Sequence, residues 1–143
     1  MKYVCIILAL GITFLSCSKD DIDKGIILAS GTWKLTRHMT DYDKDGIYEE
    51  DTYAFIHSCI KDNIYTFQAD GIAITDEGPI KCDSINPQAT ISSWSFSDHQ
   101  RRFHFEGINY EIEELNETTF RLITRISYGI IFKKDVKSIY TKQ

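Results

Sequence analysis

The chain reads as an all-β protein, an antiparallel up-and-down β-barrel of about eight strands behind an N-terminal leader. Three observations carry that reading. From Trp33 onward, short runs alternate apolar and polar residues with period two. Turns of hairpin length, such as Asp70-Gly71 and Glu106-Gly107, separate most of these runs. One face of the runs is aromatic or aliphatic and the other carries Lys, Arg, Glu and Thr; a long sheet with one dry face closes on itself or packs on a second sheet.

The leader comes first. Met1-Lys2 precedes an apolar run over residues 3–15, closed by the small Ser16. That run is shorter than the roughly 18–20 residues of a bilayer span, and the charged–apolar–small order predicts a secretory signal peptide over 1–16. Phe14-Leu15-Ser16-Cys17 resembles the lipobox of bacterial lipoproteins, with Phe14 where Leu is usual. In that family the cysteine thiol receives a diacylglycerol and the new amino terminus is acylated. The resemblance therefore implies Cys17 as the lipid-attachment residue and the membrane as a partner through that lipid. Residues 17–30 are expected to be the lipidated cysteine and its tether. Lys19-Asp20-Asp21 is either a short export signal of outer-membrane lipoproteins or a solvated spacer. Residues 25–30 form an apolar lead-in of about one helical turn.

Removing 16 of the 143 residues leaves 127, enough for one domain, taken as 31–143. A domain of that size buries enough surface to fold without a metal or a dense disulfide framework. Sixteen Lys and Arg against 21 Asp and Glu give a net charge of −5, with Arg101-Arg102 and Lys133-Lys134 as isolated basic pairs. Nucleic-acid binding needs a clustered basic face and is not expected. A monomer is.

The strands follow in order. Trp33 and Leu35 share a face, with Lys34 and Thr36 on the other. Tyr65 and Phe67 alternate with Thr66 and Gln68, and Asp70-Gly71 turns into Ile72 and Ile74. Trp94 and Phe96 alternate with serines, a polar turn over 98–102 leads to Phe103 and Phe105, and Glu106-Gly107 turns into Ile108, Tyr110 and Ile112. Residues 116–118 make another polar turn. Phe120, Leu122 and Ile126 then alternate with Arg121 and Arg125, and Gly129 breaks into a last strand over 130–134.

Two cysteines, Cys59 and Cys82, remain after the leader and the anchor. An even pair in an exported, oxidising setting predicts a disulfide. Asp41-Tyr42-Asp43-Lys44-Asp45-Gly46 carries the first six positions of a calcium loop, whose hard oxygen donors alternate around a glycine turn. Position twelve, normally Glu, is Thr52, so the same run also reads as an acidic hairpin loop between the first two strands. Asp41, Asp43 and Asp45 are the candidate calcium ligands; no other cofactor is expected. No nucleophile–base pair or Gly-x-Ser-x-Gly elbow can be assembled, so an enzyme is not expected. Glu111, Glu113 and Glu114 read as a solvated outer face and His104 as a surface histidine.

Gly31-Thr32-Trp33-Lys34-Leu35 resembles the Gly-x-Trp start of lipocalins. The series Cys59-Ile60-Lys61-Asp62-Asn63, Tyr65-Thr66-Phe67, Gly71, Glu77-Gly78-Pro79, Lys81-Cys82-Asp83, Trp94-Ser95-Phe96 and residues 110–115 resembles bacterial lipocalin-like domains on envelope lipoproteins. The resemblance spans about 31–134. It implies that Trp33 closes one end of the barrel, that Cys59 and Cys82 are bridged, and that a late-strand arginine, Arg121 or Arg125, stacks on Trp33. It also implies a binding protein of the bacterial outer membrane, lipid-anchored, for a small apolar or amphipathic ligand. The alternative is an interaction module with a packed, ligand-free barrel. Trp33, Tyr65, Phe67, Trp94, Phe96, Phe103, Phe105 and Tyr110 are the interior residues that either line a pocket or fill the space; partial filling under a small open mouth is the expectation.

Overall fold

A computed structural model describes residues 23–128 and 132–143. The expected signal peptide, Cys17 and the expected break at Gly129 lie outside them. The Asp23 carboxylate accepts the Gly25 N–H at 2.8 Å and caps helix α1, Lys24–Ala29. Six residues cannot hold a helix alone. Packing does: Leu28 is fully buried, and Lys24 donates through its backbone N–H and its Nζ to Gln100 at 2.9 and 2.8 Å. The helical turn expected over residues 25–30 is α1, and it packs on the barrel.

The strands are β1 (Thr32–Asp41), β2 (Glu50–Asp51), β3 (Ile64–Phe67), β4 (Ile72–Asp76), β5 (Ala89–Ser97), β6 (Arg102–Phe105), β7 (Ile108–Leu115), β8 (Thr119–Tyr128) and β9 (Phe132–Lys142). They form one antiparallel sheet in which β1 also pairs with β9, so β1 and β3 to β9 make a closed ring of eight. The short β2 pairs with the far half of β1, where β3 has already left it. Between β2 and β3 lie a 3-10 turn, Thr52–Phe55, and the one-turn helix α2, Ser58–Lys61. Connections 68–71, 98–101 and 116–118 gather with α1 at one end; residues 42–63, 77–88 and 106–107 lie at the other. The first end is closed and the second is the mouth.

Alternation sets the inner face. Trp33, Leu35, Phe67, Ala73, Trp94, Phe103, Phe105, Phe120, Leu122 and Val136 are buried. Trp33 sits beneath α1 with no exposed surface and donates its indole N–H to the Leu28 carbonyl at 2.9 Å, closing the end as expected. Neither Arg121 nor Arg125 stacks on it. Both occupy outward positions, 2.6 Å from Glu114 and 3.2 Å from Glu111 respectively, and the ring that meets Trp33 is that of Phe120, at 5.8 Å between centroids.

Two strands depart from the sequence reading. In β4 it is Ala73 and Thr75 that face inward, while Ile72 and Ile74 face out. The turn is the cause: the N–H of Gly71 reaches the Gln68 carbonyl and that of Gln68 the Ile72 carbonyl, so three residues form the loop, with Gly71 at φ 88°. A two-residue Asp70-Gly71 turn would pair Phe67 with Ile74; the longer loop pairs it with Ala73, and a one-residue slip exchanges the faces. The last strand runs through Lys142 rather than stopping at 134, because the inward Ser138 between Val136 and Tyr140 blurs an alternation that pairing with β1 and β8 sustains.

Candidate binding site

The eight aromatic residues picked out in the sequence do come together. Phe67 meets Trp94, Phe103 and Phe105 edge-to-face at centroid distances of 6.0, 5.5 and 5.4 Å, and Phe103 meets Phe120 at 5.2 Å. Phe96 packs on Trp94 at 5.2 Å, Tyr110 on Phe103 at 6.2 Å, and Tyr65 on Phe105 at 6.1 Å. Such pairs contribute about 0.5–1.5 kcal/mol each beyond the area they bury. The free space among Tyr65, Phe67, Phe103, Phe105, Phe120, Leu122 and Tyr140 is only about 10 Å³, close to the minimum for one water. These residues form a packed floor.

Above that floor the inner wall turns polar. A register shift between Leu35 and Arg37 lets His38 and Thr40 follow Trp33 and Leu35 on the inward face. With Tyr42, Glu50, Thr52, Phe55, Ile56 and Lys134 they line a depression of about 380 Å³. His38 Nδ1 lies 2.7 Å from the Thr52 hydroxyl, which donates to the His38 carbonyl at 3.1 Å and lies 3.2 Å from Thr40 Oγ1. Burial, then the Lys134 charge, hold the His38 imidazole below its usual range. Lys134 Nζ sits over the Tyr42 ring at 5.7 Å. Phe55 is 79 % exposed and gives the depression an apolar wall. Sequence reading missed every one of these residues. Their only signal was Tyr53-Ala54-Phe55-Ile56, an apolar run that fits no strand.

Residues 30–122 match the family model of the lipocalin-like domain, most of the chain. The chain belongs to that family. No curated protein matches the sequence. The match ends within β8, yet the second half of β8 and all of β9 complete the ring of this lipocalin-like domain.

The Cys59–Cys82 disulfide is formed, with Cα atoms 5.1 Å apart across a separation of 23 residues. It ties α2 to the long β4–β5 connection. His57 Nδ1 lies 2.9 Å from Cys59 Sγ. The acidic loop bends as a hairpin connection from β1 to β2. Asp41, 1 % exposed, accepts the N–H groups of Lys44 at 2.6 Å and Gly46 at 3.0 Å. Burial opposes its ionisation, but those N–H groups together with Asp43 and Asp45 outweigh burial and hold the carboxyl below its ordinary value. Oxygens of Asp41, Asp43, Asp45 and Glu49 lie within 4.8 Å of one another. Thr52, at the position normally held by glutamate in a calcium loop, lies against His38 instead. Glu111, Glu113 and Glu114 lie on the outer wall, each paired with a cation.

Proposed function

We propose that this lipocalin-like domain is a lipid-anchored binding protein of the bacterial outer membrane that takes a small apolar or amphipathic molecule at its mouth. The depression of about 380 Å³ carries the reading, since ligand pockets begin at about 300 Å³. Its composition suits an amphipathic guest: Phe55 and Ile56 offer apolar surface, and His38, Thr40, Thr52 and Lys134 offer polar contacts. Anchoring rests on the Phe14-Leu15-Ser16-Cys17 run. Six residues separate Cys17 from Lys24, a reach of roughly 20–25 Å, so a lipidated Cys17 would hold the closed end toward the bilayer and the mouth away from it. A Cys17→Ala chain is expected to leave the membrane fraction or to stall uncleaved; normal fractionation at mature size would overturn the anchor.

The packed floor favours a second reading, an interaction module with a ligand-free barrel. Backbone amide shifts on titration with decanol separate the two. Shifts centred on His38, Thr40, Thr52 and Phe55 support a ligand-binding mouth, and a spectrum that does not move supports the module. Calcium at Asp41, Asp43 and Asp45, joined by Glu49, is proposed as a brace for the loop beside the mouth. Four carboxylates are suitable hard donors, and without an acid at Thr52 the affinity would be weak.

A further inference from the structure

The Cys59–Cys82 bridge does not stand alone. His57 immediately precedes α2, and its Nδ1 lies 2.9 Å from the Cys59 sulfur. The same nitrogen accepts the Cys59 backbone N–H at 3.4 Å, so a lone pair rather than a proton faces Cys59. Nδ1 and the two sulfurs all lie within 4.8 Å of one another. Sequence spacing hides this set, because 23 residues separate the cysteines and only the fold brings Cys82 to His57 and Cys59.

Two further features bear on what the set can do. Cys59 is buried, whereas Cys82 is exposed on the connection from β4 to β5. An exposed bridge is open to an external thiolate and exchanges more readily than a buried one. The backbone around the pair is also held without the bridge. Asp62 directly follows α2, and its carboxylate accepts the Ile80 N–H at 2.8 Å. Gly78, at φ 67°, packs so tightly on Asp62 that a Cβ there would lie 2.6 Å from the Asp62 carbonyl oxygen. Opening the bridge therefore leaves two thiols facing each other beside an imidazole.

We propose that, once the bridge is opened, His57, Cys59 and Cys82 bind one zinc ion. The link between α2 and the β4–β5 connection is then a disulfide in the oxidised protein and a metal in the reduced one. The reductant is an external dithiol. Its thiolate attacks the Cys82 sulfur, and Cys59 leaves as a thiolate. Its second thiol then displaces Cys82, and the reductant departs as a cyclic disulfide, two electrons having passed to the cysteines. The two protons of the dithiol end on the cysteines and leave when the metal binds. Two thiolates and one imidazole are a zinc donor set, with a fourth position open to water. Calcium takes oxygen ligands and has none here. The site does not depend on what occupies the mouth.

The test titrates cobalt(II), a coloured substitute for zinc, into the purified full-length protein, oxidised and after reduction without air. A phosphine serves as reductant, because a dithiol would itself bind the metal. The reduced protein should develop a thiolate-to-cobalt charge-transfer band that saturates at one equivalent and is bleached by zinc. The oxidised protein should show none, and the carboxylates of the acidic loop cannot produce one. His57→Ala and His57→Asn, the second of which keeps an acceptor for the Cys59 N–H, should both stay folded and weaken cobalt binding at least about tenfold. The site is overturned by a reduced protein without the band, by parent affinity in both variants, or by a reduced chain that no longer folds.

Discussion

At the scale of single residues, Trp33 and His38 show how one strand serves both ends of the barrel. Trp33 is fully buried beneath α1, and truncating such a residue costs about 3–5 kcal/mol, a large part of a small domain's stability. Trp33→Ala should therefore melt far lower than the parent, while Lys34→Ala, on the outer face, should change little; equal melting of the two would refute the register of β1. His38 titrates in the opposite sense to a stabilised imidazolium. Its folded pKa lies below the ordinary 6.5, so the unfolded chain takes up the proton first. The stability His38 contributes is complete above about pH 6.5 and is lost as pH falls through that value toward the folded pKa. Melting temperature should drop over that window, and His38→Gln should flatten the drop. Trp33 was legible because large aromatic residues announce an inner face. His38 was not, because a bulge near Thr36 moves it inward and no periodicity reveals a bulge.

At the scale of elements, the strands with two aromatic anchors were legible, and those relying on partners were not. Phe103 and Phe105, or Trp94 and Phe96, fix a face by themselves. In β4 the isoleucines suggested the wrong face, because a single loop residue decides the pairing with β3. Helix α1 was legible as one apolar turn, but six residues give no amphipathic signature, and only Leu28 under the barrel end shows that it packs. Leu28→Ala should cost about 2–5 kcal/mol, which no mutation in a free tether could do. The Cys59–Cys82 bridge closes a loop of about two dozen residues, and its reduction should lower stability by roughly 3 kcal/mol. The acidic loop gives a third element-scale test. Millimolar calcium should raise the melting temperature, and Asp43→Ala should abolish the gain. An unchanged melt would leave Asp41 with its Lys44 and Gly46 partners and no metal.

At the scale of the whole molecule, the ring of eight was readable because hairpin-length turns and one dry face leave few other solutions. What the residues hid was the division of the interior. Trp33, Phe67, Phe103 and Phe120 pack against one another and leave about 10 Å³ with their neighbours, while the open volume of about 380 Å³ lies at the far end, walled by His38, Thr52 and Phe55 from segments without strand character or beyond a bulge. Aromatic content alone cannot distinguish a lined cavity from a filled one, since the outcome depends on ring geometry across strands. The most direct measurement is native mass spectrometry of the protein isolated from its own cells, beside a Phe55→Asp variant prepared the same way. A ligand-binding mouth predicts a small molecule retained by the parent and lost when the exposed Phe55 wall becomes charged. A bare mass for the parent, or an adduct that Phe55→Asp does not disturb, would contradict it.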